Sequence, residues 1–133
     1  MNGWLKDLMH DLGWEDRQAT LHALRDRLTV DEVAQLGAQL PMLIRGLYYE
    51  GWAPTGKPLR ERHEAQFLIR ISREFSDEAR GGSYRSASEI ARAVFTVLAR
   101  RVTEGEIEDV KHILRAELRE LWPAAGRSTR KLN

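Results

Sequence analysis

The sequence predicts an all-α fold, a helical bundle of two tandem pseudo-repeated units with about six to eight helices. Three observations predict it. Apolar residues recur at helical spacing along most of the chain, for example at Trp4, Leu8 and Leu12 and at Val33, Leu36 and Leu40. A threonine is followed three residues later by a glutamate at Thr29/Glu32 and again at Thr103/Glu106, the pattern of a helix capping box. Finally, the stretch from Leu24 to Tyr48 is echoed from Leu98 to Trp122. A shift of 74 positions aligns seven identities: Leu24/Leu98, Arg27/Arg101, Thr29/Thr103, Glu32/Glu106, Leu40/Leu114, Arg45/Arg119 and Leu47/Leu121. Chance would give about two over that length. Leu28/Val102, Val33/Ile107, Leu36/Val110, Ile44/Leu118 and Tyr48/Trp122 keep apolar or aromatic character.

Bulk properties narrow the class. The 133 residues suffice for one domain with a sizeable core. Apolar residues make up 42% and charged residues 31%, a globular rather than a disordered balance. The net charge of +1 supplies no global field to draw nucleic acid or an anionic membrane. There is no cysteine, hence no disulfide framework, thiolate metal site or cysteine nucleophile. No apolar run approaches the roughly 20 residues of a bilayer span. The N-terminus carries acids where a signal peptide is basic and then apolar, so the expected compartment is the cytoplasm.

In chain order, Trp4, Leu5, Leu8, Met9 and Leu12 form the stripe of an amphipathic first helix, closed by Gly13. A second helix begins after Asp16, with Ala19, Leu21, Leu24 and Leu28 inward and Arg17, Arg25, Asp26 and Arg27 mostly outward. Thr29 starts the third, which buries Val30, Val33, Leu36 and Leu40. Glu32 is expected to return its carboxylate to the threonine amide, and Glu106 to do the same for Thr103. Pro41 stops this helix or opens the next, whose apolar pattern runs to Tyr48 and ends at Gly51. Two glycines and two prolines between Gly51 and Pro58 mark the join between the units, about 1–52 and 58–123. An entry helix through Phe67, Leu68, Ile71 and Phe75 opens the second unit. A Gly- and Ser-rich loop comes after it, and Ser86/Glu89 offers another capping box before the helix that ends at Arg101. Residues 124–133 lack periodicity and read as a flexible basic tail carrying Arg127, Arg130 and Lys131.

Candidate chemistry is sparse. His10, His22, His63 and His112 show no i, i+4 metal spacing and no HExxH pattern, so no metal or cofactor is expected. There is no GxGxxG and no P-loop, and Gly81-Gly82-Ser83 lacks the preceding strand of a nucleophile elbow. Paired acids occur at Asp31/Glu32 and Glu106/Glu108/Asp109, and the capping role of Glu32 and Glu106 weighs against catalytic acid–base duty. A DNA-reading helix-turn-helix at Leu28-Thr29 is disfavoured, because its recognition helix would begin Val30-Asp31-Glu32 and offer Gln35 and Gln39 but no arginine. The least bland stretch is Tyr48-Tyr49-Glu50-Gly51-Trp52. Its aromatics are either a plug between the units or, with the basic run nearby, a binding surface. The candidate binding residues are therefore Tyr49, Glu50, Trp52, Arg60, Arg62 and His63.

The blocks RLTVDEVAQLGAQLPMLIRGLYYEGW, KPLRERHEAQFL and LARRVTEGEIEDV, with the close LRAELRELWP, resemble a bacterial family, domain of unknown function family 2267. The likeness runs from the entry helix to Trp122-Pro123. It implies a small all-helical cytoplasmic protein of two similar halves, and implies no activity, cofactor or catalytic residue.

The leading expectation is a non-enzymatic module acting through protein contacts, with a second copy of itself or another protein as partner. One alternative is weak nucleic-acid binding through the basic tail, which the charge balance disfavours. Another is an enzyme with a site between the two halves, and the absence of a catalytic constellation leans against it.

Overall fold

One helix is buried on nearly every side, and the rest of the bundle is assembled around it. In the computed structural model, which describes residues 14–59, 64–73 and 87–123, α1 spans Trp14–Arg25. It packs against α3 (Met42–Tyr49), α4 (Glu64–Arg73) and α5 (Ala87–Arg101). The remaining helices are α2 (Val30–Ala38), α6 (Glu104–Ile113) and the single turn α7 (Ala116–Arg119). The described residues thus hold seven helices and no strand, an all-α fold. No helix among them is long and apolar enough to cross a membrane.

The central place of α1 corrects the reading of Arg17, Arg25 and Arg27 as mostly outward. The helix begins at Trp14, before Asp16, and Arg17, Arg25 and the following Arg27 are all buried. Thr20 and His22 are buried with them. Polar atoms this deep need partners. His22 donates from Nε2 to the Leu47 carbonyl at 2.8 Å. Arg25 donates from Nη1 to the carbonyls of Tyr48 (3.0 Å) and Glu50 (2.9 Å), while its Nε pairs with Asp26 at 2.8 Å. Both side chains therefore satisfy the otherwise orphaned last carbonyls of α3, where a cation also complements the helix dipole. Arg27 lies 5.3 Å from the centre of the Phe67 ring, a cation–π contact that accounts for its position inside the fold.

The core runs through all the described elements. Leu21, Leu24 and Leu28 meet Phe67, Ile71, Ile90, Val94, Phe95 and Leu98, and Leu36, Leu40, Ile44 and Tyr48 extend it toward α2 and α3. Trp122 closes the other end, stacked on Phe95 with ring centres 4.3 Å apart. Val30, expected inside, is 45% exposed at the first position of α2, while Glu32 and Val33 take the buried side. Gly51 and Gly56 take φ of 73° and 80° in the loop after α3, a region that side chains disfavour, so glycine is required where the chain reverses.

Four expectations concern residues beyond the described ones. These are the first helix with Trp4, Leu5, Leu8, Met9 and Leu12, the basic run Arg60, Arg62 and His63, the Gly- and Ser-rich loop with Phe75 and Ser86 at its ends, and the tail 124–133.

Candidate functional site

Two places combine polar chemistry with geometry that packing alone does not require. The first lies where α2 meets α6. Each helix starts on a threonine in extended conformation, Thr29 with φ −63° and ψ 158° and Thr103 with φ −60° and ψ 150°. Each hydroxyl accepts from the amide three residues on, Glu32 N at 3.2 Å and Glu106 N at 3.4 Å. The return half of the box differs from the expectation for Thr103. Its amide donates to Gln39 Oε1 at 2.9 Å, and Gln39 Nε2 donates back to the Thr103 hydroxyl at 3.0 Å. Gln39, read from sequence as a solvent-facing residue, is instead a cap supplied by the other helix.

The Glu106 carboxyl, relieved of that amide, lies within 4.8 Å of the Glu32 carboxyl. Both residues are only 7% exposed. Their Oε2 atoms are buried and have no hydrogen-bond partner. Asp109, exposed on the next turn of α6, brings a third carboxylate within 4.8 Å of the pair. Two buried carboxyls this close repel when both are ionised, and one proton held between them removes that repulsion. Burial raises the Glu106 carboxyl to about 8, helped by the neighbouring Glu32 carboxyl and by the charge of Asp109. Capping logic located both glutamates in the sequence. Their meeting is a long-range fact with no local signal.

The second place is the aromatic turn. Tyr48 is fully buried, and its hydroxyl donates to the Val33 carbonyl at 2.9 Å. Burial drives its phenol far above the ordinary range, so it stays neutral. Tyr49 is half-buried, edge-on to Tyr48 at 4.9 Å between ring centres, and donates to the same carbonyl at 3.3 Å. Its ring lies over Gly37, where a Cβ would come within 2.5 Å of Oη. Trp52 packs on Tyr49 at 5.7 Å and is also half-buried. Glu50 is exposed and accepts from Gln18 Nε2. The turn is thus tied to α2 by its rings and to α1 by Glu50. Arg60, Arg62 and His63 lie outside the described residues, so only Tyr49, Glu50 and Trp52 of the candidate set are placed together.

Beside this turn, α3 presents Met42, 83% exposed, and Leu43, 45% exposed. Gly46 is exposed one turn on, with open space where a side chain would be. The helical pattern predicted an apolar α3 but not that its first turn faces outward. Elsewhere, a cleft of about 290 Å³ is lined by Arg27, Leu59, Leu114, Arg115 and Leu118 and takes in neither the carboxyl pair nor the aromatic turn.

A family described as "Uncharacterized conserved protein (DUF2267)" matches residues 1–121. No curated protein matches the chain.

Proposed function

Starting from the fact that the chain belongs to the DUF2267 family, we propose that it is a non-enzymatic interaction module whose contact surface is the outer face of α3. The observation that carries this reading is the run Met42, Leu43 and Gly46. Two large apolar side chains stand in solvent on one helical face, and a glycine beside them leaves room for a partner's close approach. Glu50 continues that face, and the partly exposed rings of Tyr49 and Trp52 border it. A catalytic reading of the carboxyl pair would need substrate to reach groups only 7% exposed.

The same reading takes residues 24–48 and 98–122 as copies of one unit. Its support is a matched pair of caps. Arg45 donates to the Leu40 carbonyl at 2.8 Å, and Arg119 donates to the Leu114 carbonyl at 3.0 Å.

Size-exclusion chromatography with light scattering over a range of concentrations, together with a pull-down, tests the interaction role. Association that the double substitution Met42→Glu, Leu43→Glu abolishes, with thermal unfolding unchanged, supports it. A strict monomer that captures no partner would refute it.

A further inference from the structure

We infer that Glu32 and Glu106 hold one proton between them and form a proton-operated clasp joining α2 to α6, closed while the proton is present and released when it leaves. The inference is independent of the α3 surface and rests on how the two carboxyls are placed.

Each carboxyl comes from a different helix, and each residue is only 7% exposed. Their carboxyl oxygens lie within 4.8 Å of one another, and both Oε2 atoms are buried without a hydrogen-bond partner. The charges acting on Glu106 are the acids Glu32 and Asp109, with no cation among them. Two ionised carboxylates so placed would repel across the helix contact. One proton turns that repulsion into a short O–H···O⁻ bond. Each glutamate sits in the first turn of its own threonine-capped helix, so the negative charge that remains lies near the positive end of that helix's dipole.

The groups on the surrounding elements do not take over the task. From α3, Tyr48 commits its hydroxyl to the Val33 carbonyl and remains neutral, and Tyr49 donates to the same oxygen. From α1, Arg25 is held by Asp26 and by the Tyr48 and Glu50 carbonyls. α5 turns Ile90, Val94, Phe95 and Leu98 inward and buries no charged side chain among the described residues. On α6, Asp109 is exposed and adds only negative field.

The direction of the shift sets the sign of the pH effect. The folded-state value for Glu106, about 8, lies above its ordinary 4.5. The folded chain therefore keeps a proton that the unfolded chain has already released. The contribution is full below about 4.5 and is lost as pH rises through about 8.

The test is a carbon-13 titration of glutamate side-chain carboxyls in the full chain, from about pH 4 to about pH 10. Distance measurements accompany it, between spin labels at Ala34→Cys on α2 and His112→Cys on α6, both exposed positions in a chain without other cysteines. The expected result is one carboxyl midpoint near 8, absent in Glu106→Gln, and a label distance that lengthens above that midpoint in the parent but not in Glu106→Gln. If Glu106→Gln fails to fold, the parent titration decides alone. Ordinary midpoints for every carboxyl, below about 5.5, overturn the clasp. So does a label distance that ignores pH. A high midpoint abolished by millimolar calcium or manganese would show a cation in place of the proton, and would overturn it as well.

Discussion

Two corners of the molecule, around Leu40 and around Leu114, carry related sequences and solve the same local problem in different ways. In both, a helix started by threonine ends, the chain turns, and an arginine five residues on returns to the freed carbonyl. Arg45 binds the Leu40 carbonyl through Nε at 3.2 Å and Nη2 at 2.8 Å, and Arg119 binds the Leu114 carbonyl through Nε at 3.0 Å. The residue opening the next helix is Pro41 in one corner and Arg115 in the other, yet the backbone angles nearly coincide, with φ −62° and −67° and ψ 158° for each. Past this turn the corners diverge. α3 continues for eight residues into Tyr49 and Trp52, whereas α7 stops after four and the chain reaches Pro123 two residues past Leu121. The shared part answers a requirement of any helix end, that buried carbonyls find donors. The divergent part serves this corner's own neighbours. Gly37 accommodates Tyr49, while the corresponding positions of the second corner hold Lys111 and Pro123.

The largest effect expected comes from removing the aromatic that anchors each corner. Tyr48 is fully buried and Trp122 is 4% exposed, stacked on Phe95. Tyr48→Ala and Trp122→Ala should each cost about 3–5 kcal/mol, measured by denaturant unfolding. Tyr48→Phe removes only a hydroxyl, and Tyr49 already donates to the same Val33 carbonyl at 3.3 Å, so its cost should stay near 1 kcal/mol. A cost for Tyr48→Phe equal to that of Tyr48→Ala would mean that the hydrogen bond, not the ring, anchors α3.

Removing the shared arginine caps comes next in size. Arg45→Ala and Arg119→Ala should each cost about 1–2 kcal/mol, since each frees carbonyls at a helix end and removes a cation from the negative end of the dipole. Arg45 also reaches the Ala38 carbonyl at 3.4 Å, and Arg119 the Lys111 carbonyl at 2.8 Å, so the two losses should be similar. Replacement by lysine should recover less than half, because lysine's flexible stem loses more freedom in reaching these carbonyls than the planar, pre-organised guanidinium does. If the two alanine variants differ by more than about 1 kcal/mol, the corners do not share their energetics and the geometric match misleads.

The two corners also show how far the sequence can be read. Local rules act within a few residues, so the threonine caps, the helix breaks near Pro41 and Gly51 and the apolar faces are legible. The identity Arg45/Arg119 is visible as a coincidence, but its role is not, because a side chain returning to a carbonyl leaves no periodic signature. α1 misleads for a related reason. Its Arg25 reads as mostly outward, while its Nη1 is consumed by carbonyls at the end of a helix more than 20 residues away in sequence. The carboxyl pair is hidden because each glutamate has a sufficient local explanation as a cap. Only tertiary contact between α2 and α6, through Gln39 at Thr103, shows that the explanation is incomplete for Glu106. For the α3 face, composition indicates an apolar helix, and only the fold decides that Met42 and Leu43 point outward.

The smallest effect expected is the one that separates the two corners most sharply. Gly37 is the point at which the first corner admits Tyr49, and a Cβ there would lie 2.5 Å from Oη and 3.0 Å from the ring. Taken alone, alanine in a helix interior is better than glycine by about 0.5–1 kcal/mol. Displacing Tyr49 opposes that gain by weakening its bond to Val33 and its contact with Tyr48, so Gly37→Ala should be nearly neutral or cost up to about 1 kcal/mol. In a Tyr49→Ala background the obstacle is gone, and Gly37→Ala should stabilise by about 0.5–1 kcal/mol. The sign reversal is the readout, and a double-mutant cycle isolates it as a coupling near 1 kcal/mol. Lys111→Ala is the matched control, since Lys111 makes only a 3.8 Å surface pair with Glu108, and should change stability by no more than about 0.5 kcal/mol. Equal values for Gly37→Ala in both backgrounds would mean that Tyr49 moves aside freely. Its ring would then be available to a partner at the border of the α3 surface rather than fixed as packing for α2.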